Sequence, residues 1–167
     1  MTSDARKIGV VSTDDERPVR IDHPLSLAYL GDAVWELYVR HDLLASGTVR
    51  PHDLQKQSIR FVSAKAQAAA LKQLLPKLTE EERDVVRRGR NAKSKTSPKN
   101  TTVLDYRHST AIEALVGFLY LTDQISRLTE LMEWVIETVE SEGNAVDDGM
   151  VSWKEPGDRS AESESSD

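Results

Sequence analysis

The chain contains no cysteine. That excludes a disulfide framework and any zinc site built on thiolates. No run of 18 or more apolar residues occurs, so no membrane span is expected. The first twenty residues, MTSDARKIGVVSTDDERPVR, mix acids with bases and lack the apolar core of a signal peptide. A cytoplasmic protein is the expectation. No internal repeat is evident. No segment alternates polar and apolar residues with the period of two that a half-buried strand requires.

What remains is a 167-residue chain, the length of one ordinary domain. It is 38% hydrophobic and 30% charged, enough for a packed core inside a soluble surface. The net charge of −6 is unevenly placed. From Glu140 to Asp167 nine acids face two bases, a segment charge of −7, so residues 1–139 carry +1. Between Arg87 and Arg107 seven bases face one acid. A near-neutral body therefore bears one basic patch and an acidic tail. Residues 1–21 are expected to form a flexible arm, residues 22–140 the folded body, and residues 141–167 a disordered acidic tail. The tail holds too little apolar surface to offset its ordering entropy.

The body reads as helices. Pro24 suits a first turn, with Asp22 as the cap, and Leu27, Leu30, Val34, Leu37, Tyr38 and His41 follow helical spacing up to a stop at Gly47. Pro51 opens a short helix. SAKAQAAALKQLL, from Ser63, is rich in helix formers and runs to Pro76. Thr79 and Glu82 form a capping box ahead of RDVVRRGR. KSKTSPKNTT, from Lys93, is a polar loop. Helices are then expected from His108 to Thr122 and from Gln124 to about Glu140. The fold class is all-α.

Two of these helices carry a solitary acid. Asp32 is the only formal charge in PLSLAYLGDAVW, from Pro24 to Trp35, and lies roughly opposite the apolar stripe, near Leu25, Ala28, Tyr29 and Glu36. Glu113 is the only formal charge in STAIEALVGFLYL, from Ser109 to Leu121. A helix apolar all round is normally buried. A carboxylate on it must be paired, protonated or metal-bound, because an isolated buried charge is costly. Gly31 and Gly117 permit close helix approach. Side by side, the two helices would bring Asp32 and Glu113 together. Two bare carboxylates repel and one takes a proton. A divalent cation between them removes the conflict, and oxygen-only ligands suit Mg2+, with Mn2+ as an alternative.

The basic segment RRGRNAKSKTSPKNTTVLDYR leads directly into the Glu113 helix. Its Arg88, Arg90, Lys93, Lys95, Lys99 and Arg107 are candidates for phosphate contacts on a nucleic acid. Tyr106 is its single aromatic, so shape and charge rather than base identity would be read. His23, His52 and His108 lack metal-ligand spacing. Lys56, Arg60 and Lys65 read first as solvated helix faces.

At this point the residues resemble a known family. YLGDAVWE is similar to the signature helix of ribonuclease III domains, and STAIEALVGFLYL to their second catalytic helix, with Glu113 in the metal-binding glutamate position. RGRNAKSKTSPKNTTVLDYRHST and VSAKAQA resemble segments of the short bacterial branch, Mini-ribonuclease III. The resemblance covers about residues 22–140. It implies an all-helical endonuclease domain, without a separate double-stranded-RNA-binding domain, acting as a homodimer on double-stranded RNA. It further implies Mg2+-dependent hydrolysis giving 5′-phosphate and 3′-hydroxyl ends, and a role in maturing the large-subunit (23S) ribosomal RNA precursor. Asp32 and Glu113 would be both catalytic and metal-binding. Longer enzymes of the family carry a further carboxylate one turn before each of these; here the positions hold Ala28 and Thr110. Glu36, one turn after Asp32, is a candidate addition to the metal shell. A non-catalytic RNA-binding module for ribosome assembly is the alternative, and a helical protein-interaction domain a third reading. Loss of either carboxylate would favour the non-catalytic module, and both are present.

Overall fold

A computed structural model of the chain describes residues 21–93 and 98–150. All its regular elements are helical: α1 (Pro24–Ala45), α2 (Pro51–Val62), α3 (Ala64–Leu74), a 3-10 turn (Leu75–Lys77), α4 (Glu80–Asn91), α5 (Val103–Leu121) and α6 (Ile125–Met150). This is the all-α class that the sequence predicts. No described helix is long and apolar enough to cross a membrane.

Helix α5 runs through the centre, packed most extensively on α1 and then on α4 and α3. Its uniform apolarity explains the position. Ser109 to Ile112 and Ala114 to Leu119 are all buried, which leaves Glu113 as the one residue of that stretch not fully enclosed. Small residues set the helix spacing. A Cβ on Gly31 would lie 1.7 Å from the Glu113 carbonyl oxygen, and one on Gly117 would lie 2.0 Å from the Leu27 carbonyl oxygen. The α1 and α5 backbones therefore touch directly. Gly89 of α4 comes nearly as close, its missing Cβ 2.9 Å from Ala111 Cα.

Around this crossing the core fills with Leu27, Val34, Trp35, Val39, Ile112, Leu115, Leu119, Leu128, Leu131 and Met132. Trp35 is wholly enclosed, and its indole N–H donates to the Phe61 carbonyl at 3.1 Å, tying α1 to the end of α2. Tyr38 Oη meets Thr129 Oγ1 at 2.9 Å, tying α1 to α6. At the base of α4 the expected capping box forms: Glu82 N–H donates to Thr79 Oγ1, and Thr79 N–H donates to Glu82 Oε2. The same Glu82 carboxylate, almost fully buried, also receives Arg127 of α6 at 2.8 and 3.0 Å. Burial alone would raise the Glu82 pKa, but the hydrogen bonds and charge of Arg127, with the Thr79 amide, outweigh it and hold the group below its usual value.

Four local expectations are corrected. The α1 cap is His23, not Asp22: its Nδ1 accepts from the Ser26 N–H at 3.3 Å. Leu37 and His41 are exposed, and the core takes Trp35, Val39 and Leu43 instead, because the buried face is aligned on the Gly31 contact with α5. Helix α5 starts at Val103, well before His108, with Thr102 Oγ1 accepting from the Asp105 N–H at 3.1 Å. That Thr-x-x-Asp pattern is a helix-start signal that lay inside the basic segment. Helix α6 continues past Glu140 to Met150. The N-terminal arm and the end of the acidic tail lie outside the described residues.

Candidate functional site

Because Gly31 abuts the Glu113 backbone, the residue after it in α1 is delivered to the Glu113 side chain. Asp32 is exposed and Glu113 partly buried, so the pair stands at the rim of the α1–α5 crossing, open on one side to solvent. The Glu113 carboxyl is pushed up to about 8. Burial is the largest cause, followed by the negative charge of Asp32; a hydrogen bond shared with Asp32 and the charge of Glu36 add to it. The side-chain amide of Gln67 opposes them by favouring the ionised form. The two acids that the sequence marks as solitary thus stand within hydrogen-bonding reach of each other.

Such a pair holds excess negative charge that a cation would neutralise. Its donor set is entirely oxygen, which fits Mg2+ or Mn2+ rather than a thiolate-seeking metal. Among the described residues no group of three or more His, Cys, Asp or Glu side chains is placed to hold a metal ion. Glu36 is near enough for its charge to reach Glu113, yet its carboxylate is engaged by Arg40 at 2.6 Å. Ala28 offers no ligand, and the buried Thr110 hydroxyl donates to the Tyr106 carbonyl at 3.0 Å within its own helix. A cation at this pair would find two protein carboxylates and would take its remaining ligands from water and substrate oxygens. Mg2+ accepts that arrangement because it keeps several waters readily.

The basic candidates divide by position. Arg88 and Arg90 sit in the last turn of α4, where cations also complement the helix dipole. Arg88 is partly buried and bridges Asp84 at 3.1 Å; Arg90 is exposed. Lys93 and Lys99 lie within the connection from α4 to α5 and are exposed. Arg107 is exposed on α5 itself, two turns before Glu113. Lys95 lies outside the described residues.

The ribonuclease III domain family matches residues 25–124, the span that contains both acids and the basic segment. The chain is 50% identical over 126 residues to a Mini-ribonuclease 3 of Brevibacillus brevis, a match spanning 75% of this chain and 94% of that protein. It is 52% identical over 117 residues to a Mini-ribonuclease 3 of Symbiobacterium thermophilum, spanning 70% and 90% of the two chains. An X-ray structure of a Fusobacterium nucleatum protein superposes with a TM-score of 0.65 at 34% identity, covering 71% of this chain and 95% of that one. The chain belongs to the ribonuclease III family, in its Mini-ribonuclease 3 branch. It is an endoribonuclease.

In this ribonuclease III domain one further residue at the site is neither acid nor base. Gln67 of α3 is 1% exposed, and it borders Glu113. A signal for it was present in AKAQAAAL, where Gln67 stands on the same helical face as Ala70, Leu71 and Leu74, all buried. It is the one polar residue on that apolar stripe.

Proposed function

We propose that this endoribonuclease hydrolyses double-stranded RNA with a divalent cation, Mg2+ or Mn2+, held by Asp32 and Glu113. The observation that carries the reading is the apposition of two carboxylates whose mutual repulsion and burial push Glu113 up to about 8. When bound, the cation would supply Lewis-acid activation of water and neutralise charge gathering on the phosphate. Asp32 and Glu113 would orient it against the scissile bond. The direct contact of the α1 and α5 backbones at Gly31 and Gly117 sets the close spacing from which both side chains project. Products would carry 5′-phosphate and 3′-hydroxyl ends.

Arg88, Arg90, Lys93, Lys95, Lys99 and Arg107 would grip phosphates next to the cut. A-form RNA shows a wide, shallow minor groove lined with 2′-hydroxyls, so recognition would follow shape. A two-fold homodimer would set two such sites across that groove, one for each strand. Large apolar side chains left in solvent, including Tyr29 at 85% exposure and Leu104 at 61%, are surface that a second copy could cover. The resemblance to the short bacterial branch supports a cytoplasmic enzyme maturing the 23S ribosomal RNA precursor, with residues 22–140 as its catalytic body.

Incubating the full chain with a structured RNA precursor, with and without Mg2+, tests the reading. Cleavage that requires the cation supports it. RNA binding without cleavage would shift the assignment to a non-catalytic module.

A further inference from the structure

Gln67 sits in the interior at the start of α3, one turn after the cap Ser63. It is almost fully enclosed, and its Nε2 makes no hydrogen bond of normal geometry to any protein atom. The same amide nevertheless stands beside the Glu113 carboxyl, within hydrogen-bonding reach of it. A buried donor without an acceptor is unfavourable. Packing does not require an amide here, since the adjoining positions on this face, Ala70, Leu71 and Leu74, are apolar and a side chain of similar volume without polar atoms would fill the space. The Glu113 carboxylate, on the neighbouring α5, is an acceptor within reach of that unmade bond.

We propose that Gln67 is a positioning residue for Glu113: its Nε2 donates to one carboxylate oxygen and leaves the other turned toward Asp32. The terminal torsion of a glutamate is broad and two-fold, so an unheld carboxylate samples many orientations. Where the protein supplies only two direct ligands, fixing one of them matters more than in a site with four. Partners that orient a ligand from behind typically change metal affinity by about 10–100-fold. Gln67 reaches Glu113 from α3, whereas Asp32 reaches it from α1. The carboxylate is thereby held between two elements that pack independently on α5.

This inference rests on the metal-site reading above, and the experiment separates the two. Mn2+ alone is titrated into the full chain without RNA, into the millimolar range, and free ion is followed by its paramagnetic resonance signal. Melting temperature is recorded on the same samples. Wild type should bind Mn2+ and Glu113→Gln should lose that binding. Gln67→Met, close in volume but without a donor, should bind roughly tenfold or more weakly while melting at or above the wild-type temperature. Should Gln67→Met not fold, Gln67→Asn takes its place: it keeps an amide but falls one methylene short, and it too should bind weakly. Wild-type affinity in the folded variant overturns the positioning role, and so does a loss of affinity that merely tracks a lower melting temperature. If wild type binds no Mn2+, or Glu113→Gln binds as wild type does, the metal site itself fails and the role of Gln67 falls with it.

Discussion

Gly31 and Glu113 meet backbone to backbone: any side-chain carbon on Gly31 would sit 1.7 Å from the Glu113 carbonyl oxygen. The same crossing is closed a turn away by Gly117 against Leu27. The acidic pair exists because two helices approach more closely than side chains normally allow. Gly31→Ala and Gly117→Ala should each cost about 3 kcal/mol or more, the upper range for overpacking, because the obstructing atoms are backbone and cannot swing away. Urea melts of the two variants check this. A loss under about 0.5 kcal/mol, the scale of ordinary surface changes, would show that the crossing can relax.

Much of the fold is legible in the sequence, and the reasons differ by element. Helix α5 announces its central place by being apolar on every side, and the two glycines announce the crossing. The capping box at Thr79 is readable from four residues. The start of α5 is signalled only by Thr102 and Asp105, a pattern masked by a segment whose charge is that of a solvated loop. The partner of Glu82 is not legible: Arg127 is 45 positions away, and no local pattern records that contact. Gln67 is visible only as a polar residue on an apolar stripe, and its direction toward Glu113 depends on how α3 packs against α5.

Stability without metal should depend on pH through Glu113. In the unfolded chain this carboxyl has its ordinary value of 4.5, and in the fold it stands at about 8. Below 4.5 both states hold the proton and the group adds no difference. As pH rises from 4.5 to about 8 the unfolded chain releases its proton while the fold retains it, so the fold loses stability progressively, on the order of a few kcal/mol in all. Chelator-treated protein should therefore melt lower at about pH 8 than at about pH 5, Glu113→Gln should remove that component, and Mg2+ should restore stability at the higher pH. A melting curve series across this range, with and without the cation, decides it.

The buried contact between Glu82 and Arg127 is a separate structural prediction. Arg127→Ala strands a carboxylate that is 3% exposed and should cost about 3 kcal/mol. Glu82→Gln with Arg127→Met together should cost less than the sum of the two single changes, because each single change strands a partner's charge and the double variant strands none. Double-mutant denaturation measures the coupling. Strict additivity would show that the pair contributes no interaction.

RNA affinity should carry a salt dependence that reports the basic surface. Replacing Lys93, Lys99 and Arg107 with glutamine should weaken binding and flatten the log–log salt plot by about one unit for each phosphate no longer neutralised. Arg88, already bridging Asp84, should contribute less than Arg90. Filter binding across a salt series distinguishes these outcomes, and an unchanged slope removes this face from the RNA interface.

Asp32 and Glu113 are proposed to act as one cation-holding unit in RNA hydrolysis. The decisive measurement is the Mg2+-dependent cleavage rate of a double-stranded RNA by wild type, Asp32→Asn, Glu113→Gln and the double variant, with RNA affinity determined alongside. Each single change should abolish cleavage, the double change should add nothing further, and RNA binding should persist throughout. Cleavage by either single variant at the wild-type rate would contradict the shared role of the two acids.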